Sequence, residues 1–427
     1  MKLSETGFLE SGGRSAGQPV HAGTPATRLS LEGRLLRRLL SSLGDAPVRM
    51  TLWNGETVST GGADCVAGIC FASRAALLKV FINPDLQLGE AYVDGSIEIE
   101  GDLVKLIETV YLSRRKARMP WFGGRSRFAR WLNRSPRNTK SGSRRNIHHH
   151  YDIGNDFYRL WLDREMVYTC AYFPDPALTL EDAQVAKMDH VCRKLRLKPG
   201  ETVVEAGCGW GSLALHMATR HGVRVKAFNI SREQIAYARD RARALGVGDR
   251  VEFIEDDYRN VHGQYDVFVS VGMLEHVGRD HHPELGRVID RCLGRDGRGL
   301  LHSIGQIPGL QLNPWIQKRI FPGAYPPTLS EMAALLEPRQ FSVLDVENLR
   351  LHYALTLEHW LQRFEDARER VRDMFDERFV RIWRLYLSGS LAAFRTGELH
   401  LFQVLFARDR SNQTPWTRAY LYDKTAD

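Results

Sequence analysis

The stretch from Thr202 to Ala218, TVVEAGCGWGSLALHMA, constrains this chain more than any other. Val203 and Val204 belong to a short apolar run that reads as a buried parallel strand. Gly207, Cys208, Gly209, Trp210 and Gly211 follow, and Leu213, Leu215, Met217 and Ala218 then fit a helix. Strand, glycine loop and helix is how a nucleotide-binding βαβ unit opens. Glycine has no Cβ, so the backbone can turn sharply there and come close to a ligand.

A dinucleotide fingerprint needs glycine at the sixth position of G-x-G-x-x-G. Ser212 stands there instead, and bulky Trp210 occupies the room a pyrophosphate would need. Glu205, just before the loop, is acidic. A cationic ligand without phosphate suits these residues better, and S-adenosylmethionine is one, with a sulfonium and an ammonium. On this stretch alone, a glycine turn in some other α/β domain stays open.

A chain of 427 residues should hold more than one domain. No run of 18 apolar residues occurs, so no transmembrane helix is expected, and the polar start carries no secretory signal. The six cysteines follow no zinc or C-x-x-C spacing, which predicts free thiols in a reducing compartment and no metal site. The net charge of +8 points to an anionic partner, either nucleic acid or a membrane surface.

Taken in order, residues 1–25 look disordered, and 26–112 read as a small α+β domain without a catalytic motif. That domain opens on an amphipathic helix with an apolar stripe of Leu31, Leu35, Leu39 and Leu43, then a hairpin turning at Asn54-Gly55. Residues 113–147 form a basic linker: Arg114 to Arg145 carries 12 basic residues and no acidic one, with Trp121, Phe122, Phe128 and Trp131 interleaved. Nucleic-acid binding, an interfacial membrane segment and a solvated linker all fit that composition. Residues 148–410 then alternate strand and helix, the pattern of a doubly wound, mostly parallel sheet, and 411–427 form a tail. Ligands in such sheets sit at the carboxyl ends of the strands. A helical insert, Leu355 to Phe394, carries Trp360, Phe364, Phe375, Phe379, Trp383, Tyr386 and Phe394. It either walls an apolar pocket or packs its own core.

From about Asn146 to Arg408 the chain resembles the cyclopropane-fatty-acyl-phospholipid synthases, of the mycolic acid cyclopropane synthase-like family of methyltransferases. The motifs that carry the likeness are HYDIGNDFY, MVYTCAYF, EAGCGWGSLA, NISREQ, DDYRN, YDVFVSVGMLEHVG, LHSIG, WIQKRIFPG and HYALTLEHW, in that order. The resemblance implies a Rossmann-like class I methyltransferase fold with a smaller N-terminal α+β domain. It implies methylene transfer from S-adenosylmethionine to the cis double bond of a phospholipid acyl chain, through a carbocation deprotonated by bound bicarbonate. It assigns the bicarbonate site to Cys170, Glu275, His302 and Tyr353 with the backbone of Ile304. For the cofactor it points to Tyr151, Tyr168 and Thr169. It adds Glu205 with Ala206, the loop Gly207, Cys208, Gly209, Trp210 and Gly211, and Ser212 with Leu213. Asn229, Ile230, Ser231, Arg232, Glu233 and Gln234 would meet the ribose side, and Asp257 and Tyr258 the adenine.

The expected partners are unsaturated phospholipids and an anionic membrane surface rather than nucleic acid, with a second copy of the chain a candidate. The expected location is the cytoplasmic face of the membrane. Departures from the family pattern are Asn229 for Thr, Ser212 for Gly, and Ser390 for a late cysteine once proposed as catalytic. Alternatives are an unsaturated fatty-acyl methyltransferase that closes no ring, and an inactive lipid-binding protein on the same scaffold.

Overall fold

The computed structural model describes residues 29–60, 65–117, 153–310 and 312–422. The expected disordered N-terminus, Tyr151 and the basic linker beyond Ala117 lie outside the described residues. Arg114 to Lys116, read as the start of that linker, instead close a helix. Cations suit that position, because the last turn of a helix exposes carbonyl oxygens.

The N-terminal module begins with α1 (Leu31–Ser42), capped by the Ser30 hydroxyl, which accepts from the Gly33 amide at 2.9 Å. Its buried stripe is Leu36, Leu39, Leu40 and Leu43, and Leu31 is 56% exposed. The stripe expected from every fourth residue is therefore corrected. At ~100° per residue, steps of four drift about 40° each around the helix, whereas alternating steps of three and one or four stay on one face. The Asn54-Gly55 hairpin joins β1 (Val48–Thr51) to β2 (Thr57–Ser59), antiparallel with Arg49 opposite Ser59. β3 (Ala67–Phe71) runs parallel to β1. Helices α2 (Arg74–Ile82) and α3 (Pro84–Val93) lead to β4 (Ile97–Gly101), and α4 (Leu103–Lys116) ends the module. The strand order is β2-β1-β3-β4.

After α5 (Leu180–Leu195) the second sheet opens as expected: β5 (Thr202–Ala206), α6 (Ser212–His221), β6 (Arg224–Asn229), α7 (Arg232–Ala244), β7 (Val251–Glu255) and β8 (Tyr265–Val271). A single turn, α8 (Leu274–Val277), and α9 (His282–Cys292) precede β9 (Leu293–Gln306). Helices α10 (Pro314–Arg319) and α11 (Leu329–Leu336) lead to β10 (Phe341–Asn348). The insert is three helices, α12 (Arg350–Asp366), α13 (Arg368–Met374) and α14 (Glu377–Thr396), before β11 (Leu399–Arg408). The order is β10-β11-β9-β8-β5-β6-β7. Strands β5 to β9 pair in parallel, while β11 runs antiparallel to both β9 and β10. The fold is therefore α/β and mostly parallel, with an antiparallel edge.

The insert does both things its aromatic residues allowed. Trp360, Phe364 and Trp383 join Phe157 and Trp161 in one core, with Phe157 and Trp383 rings 4.9 Å apart and Trp161 and Trp360 5.6 Å apart. Tyr386 and Phe394 belong to the same core and also line a cavity. The N-terminal module docks on α10 and α14. Glu90 on α3 accepts from Arg319 at 2.7 and 2.6 Å and from Lys318 at 3.0 Å. Arg381 on α14 donates to the Ile97 carbonyl at 3.0 Å and lies 4.4 Å from the Tyr92 ring centre. Among the described residues no helix is long and apolar enough to cross a membrane.

Candidate active site

The glycine loop is built as its sequence requires. Gly207, Gly209 and Gly211 all have positive φ, at 84°, 54° and 85°. A Cβ on Gly211 would come 2.6 Å from the Phe253 ring, so that glycine is needed for packing. A Cβ on Gly209 would meet nothing within 4 Å, so that glycine faces open space. Trp210 turns inward, donating from Nε1 to Asn155 Oδ1 at 2.7 Å and packing 5.0 Å from Tyr158.

The loop floors a cavity of about 140 Å³ at the carboxyl ends of β5, β6 and β8. Of the expected cofactor residues, Tyr168, Thr169, Glu205 and the loop from Gly207 to Trp210 line it. So do Ser212, Leu213, Asn229, Ile230, Gln234, Asp257 and Tyr258. The Asn229 amide ties the loop to α7, donating to the Gly209 carbonyl at 3.2 Å and to Gln234 Oε1 at 2.7 Å. Several expected residues do not line it. Ser231 is the cap of α7, Ala206 is buried at the end of β5, and Arg232 and Glu233 are exposed on the first turn of α7. Asp257 is committed to Arg259, at 2.8 and 3.0 Å.

Three polar groups in this cavity are buried without a hydrogen-bond partner among the described residues: Glu205 Oε2, Gln234 Nε2 and the Tyr258 hydroxyl. Burial pushes the Glu205 carboxyl up to about 8, against the pull of Lys187. A cationic ligand end beside Glu205 would compensate that desolvation. The buried donors and acceptors, the acid and the open face of Gly209 fit S-adenosylmethionine. Lys187, on α5, was not singled out from the sequence. It is buried, donates to Thr169 Oγ1 at 3.0 Å, and is lowered by burial to about 8. A lone lysine on a polar helix gives no signal in one sequence.

A second, larger cavity of about 270 Å³ meets the first: Tyr168, Thr169, Gly272 and His276 line both. Cys170, Glu275, His302, Ile304 and Tyr353, scattered over the sequence, all line the larger one. Glu275 sits on α8 just past β8. Its Oε1 accepts from the Ile304 amide at 2.6 Å, so Ile304 takes part by orienting this carboxyl group. Its Oε2 is buried and unpartnered among the described residues, and burial raises its pKa to about 7. His302 is held at Nδ1 by the Gln403 amide, 3.1 Å away on the neighbouring strand, and its buried Nε2 is unpartnered among the described residues. Burial, helped by the cation of Lys187, keeps it well below its ordinary pKa and thus neutral. The buried Cys170 thiol is pushed up by burial and donates to the Ala171 carbonyl at 3.1 Å. Two unpartnered buried atoms and a neutral thiol facing one space fit a small oxyanion such as bicarbonate. Tyr168 and Tyr386 share a hydrogen bond of 2.8 Å across the insert, and Tyr353 packs 4.5 Å from Phe394. Ser390, at the late cysteine position, also lines this cavity.

Among the described residues one cluster has metal-ligand chemistry, Cys192, His216 and His221. It lines neither cavity, and His216 is already paired with Asp189 at 2.6 Å.

Comparison with known proteins places this geometry. Residues 138–404 match the family described as mycolic acid cyclopropane synthetase, and residues 35–118 match a domain of unknown function. A probable fatty acid methyltransferase of Pseudomonas putida is 36% identical over 88% of this chain and 96% of its own length. The cyclopropane-fatty-acyl-phospholipid synthase of Escherichia coli K12 is 42% identical over 62% of this chain and 68% of its own. The crystal structure of the mycolic acid cyclopropane synthase CmaA1, complexed with SAH and CTAB, superposes with a TM-score of 0.60. It shares 28% identity and covers 62% of this chain and 98% of its own.

Proposed function

The chain belongs to the mycolic acid cyclopropane synthetase family, and on that premise we propose that it builds cyclopropane rings on the acyl chains of membrane phospholipids. It is an S-adenosylmethionine-dependent methyltransferase of that family. The observation that carries the finer reading is the junction of the two cavities, one beside the glycine loop with buried polar groups in its wall and one apolar beside Glu275 and His302.

S-adenosylmethionine supplies, when bound, a methyl group activated by its sulfonium. Glu205 would hold its cationic amino-acid end, Asn229 and Gln234 the ribose, and Tyr258 the adenine. The cis double bond is a weak nucleophile, so water must be excluded while it reacts. Tyr168, Tyr353, Tyr386 and Phe394 do this, and their faces stabilise the positive charge that methylation leaves on the chain. A proton must next leave the transferred carbon. Cys170, His302 and Tyr353 would hold a bicarbonate ion, which supplies a basic oxygen. Glu275, with its pKa raised to about 7, can keep a proton on Oε2 and donate it to that anion, while the Ile304 amide fixes Oε1.

The reading extends to peripheral docking on the cytoplasmic face of an anionic membrane, supported by the net charge of +8 and the basic run to Arg145. Reversing the charge of Arg125, Arg127, Arg130 and Arg134 should weaken vesicle binding and its salt dependence. A second reading, methylation without ring closure, is favoured by the Pseudomonas putida relative named a fatty acid methyltransferase.

One experiment separates these. The full chain is incubated with methyl-deuterated S-adenosylmethionine and dioleoyl phospholipid vesicles, and the acyl chains are analysed by mass spectrometry. Ring-closed chains retaining two deuterons support the proposal. Open branched chains support the second reading. Acyl chains without label would defeat both.

A further inference from the structure

The apolar cavity does not end inside the methyltransferase part of the chain. From Glu275 and His302 it continues to Leu39, Leu43, Ile69 and Val80. These four are buried core side chains of the N-terminal module. Protein interiors pack as densely as organic crystals, and a gap loses its dispersion contacts. A small domain therefore closes its core unless something apolar fills it in the working state. This module instead leaves its core open to the same cavity of about 270 Å³ that holds Glu275 and His302.

We propose that the N-terminal module is the receptacle for the methyl-terminal segment of the acyl chain and limits how many carbons can lie beyond the double bond. The inference rests on the acyl-lipid reading above. The polarity of the substrate sets its direction. The ester end carries a charged headgroup, whose burial among apolar side chains is costly, while the methyl end is apolar throughout. With the double bond held beside Glu275 and His302, the methyl segment is what remains to fill the far end. Leu39, Leu43, Ile69 and Val80 present no side-chain donor or acceptor to it. The receptacle is also fixed in place. Arg319 and Lys318 clamp Glu90, and Arg381 holds the Ile97 carbonyl. α3 packs so closely on α10 that a Cβ on Gly89 would lie 2.6 Å from Trp315.

The test uses the full chain with Val80→Phe, which fills the far end, and Val80→Ala, which deepens it. Mixed vesicles offer palmitoleoyl and oleoyl phospholipids, whose double bonds lie equally far from the ester and whose tails beyond it differ by two carbons. One methylene in an apolar pocket is worth roughly tenfold in selectivity. Val80→Phe should lower the oleoyl-to-palmitoleoyl product ratio by about tenfold, and Val80→Ala should raise it by on the order of twofold. Calorimetric S-adenosylmethionine binding reports whether each variant is folded, and if Val80→Phe is not, Val80→Ala decides. An unmoved ratio in a folded variant overturns the inference. If the parent methylates no acyl chain, the acyl-lipid reading fails, and binding of cis-parinaric acid, read by its fluorescence, decides instead. Equal affinity in the parent and both variants then overturns the inference, and weaker binding in Val80→Phe upholds it.

Discussion

The two cavities that meet at Tyr168 and Thr169 are built by opposite rules. The cofactor side is centred on one loop, Gly207 to Leu213, with short additions from Met166 to Thr169, from Lys187 and after β6, β7 and β8. The lipid side draws its wall from both modules, from Leu39 to Leu401, and most contributors are apolar. A ligand rich in hydrogen-bonding groups needs fixed donors and acceptors, and one tight turn supplies them together. An acyl chain needs only dry surface of the right shape, which any apolar side chain can give. The cofactor side should therefore be breakable at a point, and the lipid side should yield gradually.

Gly209→Val tests the first half most severely. The new side chain meets no protein atom within 4 Å of its Cβ, but it enters the cofactor's space from a backbone φ of 54°. Cofactor affinity should fall by on the order of 100-fold while the protein still melts cooperatively. Unchanged affinity in calorimetry would show that the open face of Gly209 is not where the cofactor lies.

The next largest effect is one of pH. Glu205 is raised from 4.5 to about 8, so its retained proton stabilises the fold fully below pH 4.5. That contribution is lost as pH rises through 8. Lys187, lowered to about 8, has the opposite sign, regaining stability only as pH rises above that value. Between pH 5 and 8 this one carboxyl group should take up to roughly 1.4 kcal/mol per pH unit from the stability of the parent without cofactor, while His276 and His302, lowered by burial, add stability as pH rises to about 6.5. Glu205→Gln should remove that contribution from the denaturant midpoints over that window, leaving those of Glu275, Asp163 and the buried histidines. Identical slopes in the two proteins would remove Glu205 from the account.

On the lipid side, Arg319→Ala should loosen the N-terminal module by leaving Glu90 with Lys318 alone. Turnover on vesicles should drop about tenfold, with S-adenosylmethionine affinity unchanged. A matching loss of cofactor affinity would mean the two cavities are not separable. The smallest effect is expected for Gln403→Leu, which frees His302 Nδ1 without touching either ligand space. Roughly threefold lower turnover and an altered pH profile should follow.

The same contrast explains what could be read from the sequence. The β5 loop announced itself because its glycines, acid and flanking strand are adjacent, and the alternation after it specified the parallel sheet. Cys170, Glu275, His302 and Tyr353 were reached through resemblance, since 183 positions separate the first from the last and nothing local marks them. Burial then gave Glu275 and His302 their chemistry, and burial of a polar residue follows from tertiary packing. Lys187 and Gln403 were missed for that reason. The N-terminal module offered no motif because its contribution is apolar surface, and an open core looks like a closed one in sequence. Leu31 was misplaced by a step of four, while Leu35 packs at the edge of the core, and only the helix's real burial tells them apart.

The central claim is that chemistry happens where the two cavities meet, under Glu275. It is tested most directly by measuring cofactor affinity and turnover together in Glu275→Gln. Glutamine keeps the shape, the contact with the Ile304 amide and an N–H for the anion, but it has no proton to share with or transfer to that anion. The account predicts S-adenosylmethionine affinity within about twofold of the parent and turnover on unsaturated vesicles reduced by on the order of 100-fold or more. Full turnover in Glu275→Gln, with the cofactor bound as before, would contradict it.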